Sequence, residues 1–454
     1  MKKEIDLTPY IEAVSNLDPY KVYGRILEVT GILIKATGLD VSIGEACKIF
    51  TDNEQSINAE VVGFRDGRVL LMALGELSGI RPGSRVLSLG RQASLKISSS
   101  IIGRILDDQG NPIDDLGPLT GKDFSIMSIA PSPLKKKRIA EPIDLGVRAI
   151  NGLLTCGKGQ RIGILSGTGV GKSVLFGMMA KYTKADINVI GLIGERGREV
   201  REFIERDLGP EGLKRSVVVV STSEQPSVSK IRSAFTATAI AEYFRAKGKD
   251  VLLFIDSLTR VAMAQREIGL AVGEPPTSKG YTPSVFALLP KLLERAGTSE
   301  TNGSITGIYT ILVEGDDLSD PVADSAMAIL DGHIVLSRDL AMENHYPAID
   351  ILRSISRVRP DIIEAGHKQL SDHFIETLAV YKRFEDMINL GAYKAGTNAK
   401  VDYSLQMIDK LNAYLIQSMN VKSEYLDSVK ELASIFFTNE EAAKNGTANN
   451  GAAK

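Results

Sequence analysis

Residues 161–173 read RIGILSGTGVGKS. It passes from an apolar strand through a glycine-rich turn into the start of an apolar helix. A phosphate-binding loop needs that order, because glycines let backbone N–H groups close around phosphate oxygens and the helix N-terminus adds positive potential. The sequence therefore predicts a nucleotide-binding loop with these contact residues: Gly167, Thr168, Gly169, Val170, Gly171, Lys172 and Ser173.

Two side chains of this loop have predicted roles in binding ATP. Lys172 is expected to reach the β- and γ-phosphates, and the Ser173 hydroxyl is expected to ligate Mg²⁺. The motif G-x-x-x-x-G-K-[ST] is altered at its first position, which Ser166 occupies. A chance glycine-rich turn is the alternative, and the strand before the turn and the helix after it argue against that alternative.

Carboxylates follow two other apolar runs. Asp256 ends DVLLFID, from which it can reach the Mg²⁺ shell beside the loop, although an ordinary helix N-cap aspartate also fits there. Glu195 follows the run GLIG, where it is placed to orient and deprotonate an attacking water. Its neighbour Arg196 is placed to approach the phosphates. A solvated surface loop is the competing interpretation for Glu195 and Arg196.

From about residue 92 onward, buried strands alternate with helical segments. The runs that predict strands are RIGILSG, ADINVIGLIG, SVVVVST, DVLLFID, SITGIYTILV and GHIVLS. Continuous Val- and Ile-rich runs separated by helices indicate an α/β fold with a mostly parallel sheet covered on both faces. The shorter, glycine-broken alternating runs before them predict a small β-barrel or sandwich.

These patterns divide the chain into five segments. We predict an amphipathic arm at 1–20, a β-barrel domain at 21–92, a P-loop ATPase domain at 93–362, a helical domain at 363–437 and a disordered tail at 438–454. The helical domain is predicted from the apolar periodicity of KQLSDHFIETLAVYKRFEDMINLG and YSLQMIDKLNAYLIQSM. The tail is predicted from its low-complexity composition.

Composition narrows the class of protein. The 454 residues are 43% hydrophobic, enough for two or three domains, and the net charge of −2 disfavours a dedicated nucleic-acid binder. Cys47 and Cys156 cannot build a disulfide framework or a four-ligand zinc site, which favours a reducing, cytosolic location.

The four histidines show no metal-ligand spacing. The N-terminus does not read as a signal peptide, and no apolar run approaches the roughly 20 residues that span a bilayer.

Around these motifs the sequence resembles the catalytic subunits of the rotary ATPase superfamily, specifically the type III secretion export ATPases. The longest matching stretch is PIDLGVRAINGLLTCGKGQRIGILSGTGVGKS. Further stretches keep the family's order over most of residues 140–360: IGERGREVREF, LLFIDSLTRVAMAQREIGLAVGEPP, KGYTPSVFALLPKLLERAG, ILVEGDDLSDPVAD, LDGHIVLSRDLA, HYPAID and SISRVRP. A small residue at the position of Ser166 is usual in that family. The run YKRFEDMINLGAYKAGTN lacks the DELSEED-type acidic run of the ATP synthase β subunit and is similar to the secretion branch.

The resemblance implies a fold and a set of site residues. The fold is an N-terminal β-barrel, a central RecA-like P-loop domain and a C-terminal helical domain. Glu195 takes the role of the catalytic glutamate, and Arg196 and Arg260 fall on arginines that contact phosphate. Arg357 matches the arginine finger of the family, the arginine that reaches the active site of a neighbouring subunit. Its sequence position alone indicates only a surface or salt-bridged arginine. Tyr346 matches the aromatic residue that stacks on adenine, although an exposed loop tyrosine is the plainer interpretation.

The resemblance also implies a setting for the protein. It implies a homohexamer that uses ATP and Mg²⁺ and lies in the cytoplasm, peripherally associated with the inner membrane at the export apparatus. The implied partners are an export regulator or stator protein at the N-terminal arm, a central stalk protein, export chaperones and substrates, and export gate membrane proteins, with no nucleic acid.

The leading function is hydrolysis of ATP that releases chaperones and promotes the export of flagellar proteins. The ATPase of a virulence-type secretion system is the alternative. A ring component that binds nucleotide without hydrolysis would not need Glu195, Asp256 and Arg357 together. An RNA-translocating hexamer would need an aromatic-bearing barrel surface, and residues 21–90 contain only three aromatic residues.

Overall fold

We describe the protein from a computed structural model, which covers residue 7 and residues 21–52, 55–300, 302–313 and 319–437. The arm predicted over 1–20, apart from Leu7, and the tail predicted over 438–454 lie outside the described residues. The chain divides into two compact units, one ending at Ala93 and the other beginning at Ser94.

The first unit is a closed barrel of antiparallel strands in the order β1–β2–β5–β4–β3–β6, with β6 pairing back onto β1. The strands are β1 Tyr23–Thr30, β2 Leu33–Thr37, β3 Glu45–Phe50, β4 Ser56–Arg65, β5 Arg68–Ala73 and β6 Arg85–Gln92. In β3, for example, side chains alternate, so that Cys47 and Ile49 are buried while Lys48 faces the other side. This closure, which leaves no strand edge unpaired, confirms the predicted barrel.

The second unit contains a large sheet with the order β17–β16–β10–β15–β13–β11–β12–β8, and β14 pairs with β15. Its strands are β8 Ile105–Leu106, β10 Arg161–Ser166, β11 Ile187–Glu195, β12 Ser216–Thr222, β13 Asp250–Asp256, β14 Gly297–Thr298, β15 Ser304–Leu312, β16 Gly332–Leu336 and β17 Ile349–Ser356. All pairings from β16 to β8 are parallel, whereas β14 and β17 are antiparallel to their partners. The predicted α/β class and mostly parallel sheet are therefore confirmed. A separate antiparallel pair is formed by β7 Ser94–Ile97 and β9 Lys122–Ser125.

Helices connect and cover these strands. Those described are α1 Lys172–Tyr182, α2 Gly197–Glu202, α3 Gly209–Leu213, α4 Ser227–Ala246, α5 Leu258–Val272, α6 Pro283–Leu293, α7 Pro321–Ile329, α8 Arg338–Met342, α9 Arg359–Ile362, α10 Ala365–Asn389, α11 Ala399–Leu415 and α12 Tyr425–Phe436, with π-helical segments at Ile150–Leu154 and Phe203–Leu208. The C-terminal helices share a core with the sheet, since Leu378 and Leu411 pack in one cluster with Ile164 of β10. None of the helices in the described part of the chain combines the length and apolarity that a membrane crossing needs.

The parallel register brings three strand ends to one edge of the sheet. Ser166, which ends β10, lies level with Leu312 of β15, and Asp256, which ends β13, lies level with Leu192 of β11. Because β10, β13 and β11 run in the same direction, the residues that follow them converge at this edge. The phosphate-binding loop and both predicted carboxylates lie there.

Candidate active site

The loop between β10 and α1 has a conformation that depends on its glycines. Gly169 and Gly171 have φ values of +80° and +86°, in a region where residues with a Cβ atom are strained. Val170 is buried and anchors the loop, whereas Thr168 and Ser173 are exposed. The loop therefore presents backbone and hydroxyl groups toward the space in front of α1, as a phosphate-binding loop must.

Lys172 brings the two predicted carboxylates together. Its Nζ atom lies 2.5 Å from Oδ1 of Asp256 and 3.6 Å from Oε1 of Glu195. All three side chains are at least four-fifths buried, so the charges interact in a poorly solvated space. Residues that are far apart in the sequence thus form one cationic and anionic cluster at the end of the sheet.

Burial and mutual charge shift the pKa values within this cluster. Burial raises the pKa of Glu195 to about 7, and the nearby charge of Asp256 acts in the same direction while Lys172 opposes it. Burial by itself lowers the pKa of Lys172, but the charges of Asp256 and Glu195 outweigh this and raise the value. A carboxylate with a pKa near neutrality and a firmly protonated lysine suit a general base and a phosphate ligand.

A small cavity lies beside the cluster. It has a volume of about 90 Å³ and is lined by Ser173, Glu195, Asp256 and also by Glu199 and Asp207. Such a volume has room for about three water molecules. The Ser173 hydroxyl, the Asp256 carboxylate and the Glu195 carboxylate therefore face one polar space next to the loop.

Thr310 is a member of the site that the sequence analysis missed. Its Oγ1 atom, fully buried on β15, donates a hydrogen bond of 2.7 Å to Oδ1 of Asp256. That oxygen therefore accepts hydrogen bonds from both Thr310 and Lys172, and the two bonds fix the orientation of the carboxylate. The sequence signal is weak, because Thr310 is one of several hydroxyl residues in the strand run SITGIYTIL.

The two arginines predicted to contact phosphate have different surroundings. Arg260 lies in the first turn of α5 and packs on Gly194, where an added Cβ atom would be 3.0 Å from the Arg260 Cβ. Its Nε atom is buried and has no hydrogen-bond partner among the described residues. Arg196 is largely exposed, and its nearest carboxylate is Glu199, at 3.6 Å. Arg260 thus borders the cluster next to Glu195, whereas the side chain of Arg196 is largely exposed to solvent.

Tyr346 lies against the phosphate-binding loop. An added Cβ atom at Gly171 would be 3.3 Å from Cε1 of the Tyr346 ring, and the ring is 38% exposed. The carbonyl of Tyr346 accepts a hydrogen bond of 2.9 Å from the backbone N–H of Gln417. The C-terminal part of the chain thereby holds this partly exposed ring at the loop, a position from which it can contact a nucleotide.

Arg357 lies far from the cluster of its own chain. It directly follows β17, where Ser356 pairs with Gly332 at the start of β16, whereas Leu336 at the end of β16 pairs with Ser166. Four residues of strand separate these two levels, about 13 Å along the sheet. The guanidinium donates to the Met327 carbonyl at 3.2 Å. Arg357 is therefore not part of the site formed by its own chain.

Comparisons with known proteins agree with this geometry. Residues 26–90 match the β-barrel domain and residues 146–356 match the nucleotide-binding domain of the ATP synthase alpha/beta family. Residues 363–434 match the T3SS EscN ATPase C-terminal domain. These matches cover the barrel, the sheet with its site and the C-terminal helices in turn.

Relatives that match nearly the whole chain are flagellar and type III secretion ATPases. The chain is 50% identical to the flagellum-specific ATP synthase of Bacillus subtilis, over 94% of this chain and 98% of that protein. Among solved structures, the assembled ATPase EscN of the enteropathogenic Escherichia coli type III secretion system is similar with a TM-score of 0.86 and 42% identity, covering 91% of this chain and 99% of that one. EscN in complex with its central stalk EscO is similar with a TM-score of 0.83 and 41% identity, at the same coverage.

Proposed function

The chain belongs to the ATP synthase alpha/beta family, in the branch of flagellum-specific ATP synthases and type III secretion ATPases, and from this premise we propose how its site works. The protein is an ATPase coupled to flagellar protein export. Hydrolysis takes place at the subunit interfaces of a homohexamer, where it serves to release chaperones and to promote export. The observation that carries this proposal is the cluster of Lys172, Asp256 and Glu195 beside the phosphate-binding loop.

The reaction is the in-line attack of water on the γ-phosphate of ATP. Glu195 holds the water and accepts its proton at a carboxylate oxygen, for which its raised pKa suits it. Lys172 exchanges its contact with Asp256 for the β- and γ-phosphates, where its charge offsets the negative charge that develops in the transition state. Arg196 and Arg260 contribute further positive charge at the phosphates, Arg260 from beside Glu195.

The residues present fit Mg²⁺. Mg²⁺ prefers oxygen ligands and keeps several waters, so that one hydroxyl and one carboxylate together with the phosphates suffice. Ser173 and Asp256 line one small polar cavity and supply these two ligands. Among the described residues no group of three or more His, Cys, Asp or Glu side chains is arranged to hold a metal ion. When bound, Mg²⁺ supplies charge neutralisation of the phosphate oxygens.

Arg357 completes the site of a neighbouring subunit. Its position at the opposite end of β16 from the loop, with its guanidinium partly at the surface, supports a role in trans. The solved relative EscN is described as an assembled ATPase, which supports a ring of copies for this chain. Tyr346 serves as the stacking surface for adenine at the same interface.

The remaining partners follow from the family. We propose a central stalk protein in the ring, by analogy with the complex of EscN with EscO. Export chaperones, export substrates and the membrane proteins of the export gate are the other partners, and a regulator or stator protein binds the N-terminal arm. The protein works peripherally at the cytoplasmic side of the inner membrane.

The proposal is tested by measuring phosphate release from ATP over a range of protein concentrations. Turnover per chain should rise with concentration, because a site completed in trans requires assembly. The Glu195→Gln variant should bind ATP with nearly unchanged affinity and lose at least about a thousandfold of its turnover. Glu205→Gln is the matched control, since Glu205 is exposed and forms an ion pair with Arg201 on the adjacent surface. Hydrolysis by Glu195→Gln near the wild-type rate would refute the catalytic assignment.

A further inference from the structure

A second pocket lies one strand further along the sheet from the catalytic cluster. Its volume is about 400 Å³, and its walls come from the ends of β11 and β12, the start of α4 and one side of α5. The backbone N–H of Ser223 in its wall donates a hydrogen bond of 2.9 Å to the carbonyl of Glu195. Gly194, which also lines the pocket, directly precedes Glu195. The pocket is therefore lined in part by the segment of backbone that carries Glu195, the proposed general base.

The lining of this pocket is positively charged. Lys230, Arg260 and Arg266 contribute three positive charges and Glu267 contributes one negative charge, a formal sum of +2. The Glu267 carboxylate already accepts a hydrogen bond from Ser227, the first residue of α4. The N-terminal end of this 20-residue helix adds further positive potential. A concave surface with such an excess of positive charge attracts anions.

The positive groups in the pocket have free hydrogen-bonding capacity. Lys230 uses one of its three donors, in a 2.8 Å bond to the Ser223 carbonyl. The buried Nε of Arg260 has no hydrogen-bond partner among the described residues. Burial lowers the pKa of Lys230, Glu267 opposes this, and the charge of Arg260 adds to it, which shows that the two cations repel each other across the pocket. A bound anion would relieve this repulsion and satisfy the free donors.

The chemistry of the lining favours an oxyanion over a nucleotide. None of the described residues that line the pocket is aromatic, so that a base would find no ring to stack on. The guanidinium of Arg266 lies over the ring of Tyr281, at 5.7 Å from the ring centroid, and covers that face of the ring. Arginine and lysine donors around a concave space are typical of phosphate recognition.

We propose that this pocket is a second anion site, which binds inorganic phosphate after the phosphate has left the γ-position. Arg260 connects the two places, because its side chain packs on Gly194 beside Glu195 and also lines the pocket. The transient binding of the phosphate product before its release rests on the proposed function, since ATP hydrolysis supplies the phosphate. The ability to bind phosphate from solution does not depend on it.

The test uses the full chain saturated with Mg²⁺ and a non-hydrolysable ATP analogue, so that the γ-position is filled. Inorganic phosphate titrated into this complex by calorimetry should bind at one site per chain. Lys230→Ala should weaken that binding about tenfold, and Glu267→Gln should tighten it severalfold because it removes the one carboxylate among the described residues that line the pocket. Lys214→Ala is the matched control, since Lys214 is exposed and pairs with Glu211 outside the pocket. Absence of phosphate binding by the wild-type complex, or equal binding by Lys230→Ala, would overturn the site.

A single-turnover experiment tests the product role. Phosphate release should lag behind ATP cleavage in the wild-type protein, and Lys230→Ala should shorten the lag. If the pocket binds phosphate but Lys230→Ala shows the same lag as the wild-type protein, the pocket does not hold the phosphate product before its release. Failure of the wild-type protein to hydrolyse ATP would refute the proposed function, and it would leave the calorimetric result standing because that experiment involves no turnover.

Discussion

The Nζ atom of Lys172 lies 2.5 Å from Oδ1 of Asp256, so the lysine of the phosphate-binding loop forms an ion pair with the carboxylate that ends β13. The same oxygen accepts a hydrogen bond from Thr310. Asp256 therefore holds the lysine in place and keeps its own orientation when the lysine moves to a phosphate. This relationship makes the neighbourhood of Asp256 the first place to test.

Thr310→Val keeps the shape of the side chain and removes the donor to Asp256. A hydrogen bond to a charged group contributes about 1.5–3 kcal/mol, so unfolding measured in urea should show a loss of this size. Turnover should fall severalfold, because the carboxylate is less well oriented toward the Mg²⁺ position. Thr238→Val is the control, since Thr238 donates only to the Ala234 carbonyl within α4. Unchanged turnover in Thr310→Val would show that the threonine does not position Asp256.

Mixing two inactive variants tests the role of Arg357 in trans. Arg357→Ala and Lys172→Ala should each be nearly inactive alone, the first by about a thousandfold, as expected for an arginine finger. In a mixture, an Arg357→Ala subunit still supplies an intact loop, and a neighbouring Lys172→Ala subunit still supplies an intact finger. Random assembly should restore about a quarter of the wild-type rate. A mixture as inactive as its components would contradict the trans assignment.

Replacement of Tyr346 tests adenine stacking. The Tyr346→Ala variant should bind ATP about 5- to 100-fold more weakly, the range expected when an aromatic ring that stacks on a base is removed. Tyr346→Phe retains the ring and should bind within about twofold of the wild-type protein. The measurement is the dissociation constant of ATP, obtained with Glu195→Gln as the background to prevent hydrolysis. Equal affinities for the two Tyr346 variants would exclude stacking.

The raised pKa of Glu195 predicts how both turnover and stability depend on pH. The pKa of about 7 means that Glu195 is protonated below neutrality, so kcat/KM should decrease as the pH falls through 7. For stability the direction is opposite. The native state binds the proton more tightly than the unfolded chain, so this group's contribution decreases as the pH rises from its ordinary value of 4.5 to about 7. Lys172 keeps its charge throughout, because its pKa is raised above 10.5.

The stability part is measured by comparing the unfolding of the wild-type protein and Glu195→Gln at pH 5 and pH 8. The variant lacks the titrating group, so its stability relative to the wild-type protein should improve at the higher pH. A difference in unfolding free energy that is the same at both values would contradict the raised pKa.

Gly194→Ala tests the contact between the end of β11 and Arg260. Gly194 has φ of +71°, which costs a residue with a Cβ atom about 1–2 kcal/mol, and the new methyl group would press on the Arg260 side chain. Thermal stability and turnover should therefore both decrease. Gly197→Ala is the control, because an added Cβ atom there meets no atom within 4 Å. A Gly194→Ala variant that matches Gly197→Ala in both measurements would show that this contact is unimportant.

Much of the fold follows from local patterns. The continuous apolar runs predicted β10, β11, β12, β13, β15 and β16, because a strand buried on both faces needs apolar side chains on both. By contrast, β17 does not follow from periodicity alone, since its side chains alternate irregularly between buried and exposed. Its antiparallel pairing at the edge of the sheet depends on the partner strand that the chain reaches when it returns.

The sequence predicts the phosphate-binding loop, its lysine and the carboxylates Asp256 and Glu195, because each of these features comes directly after an apolar run. How the three side chains meet follows from the pairing of the strands. The parallel register brings Asp256, Glu195 and Lys172 within ion-pair distance, adds Thr310 from the intervening strand, and places Arg357 at the far end of β16. Sequence spacing carries no information on these distances, since they depend on which strands pair and in which direction they run.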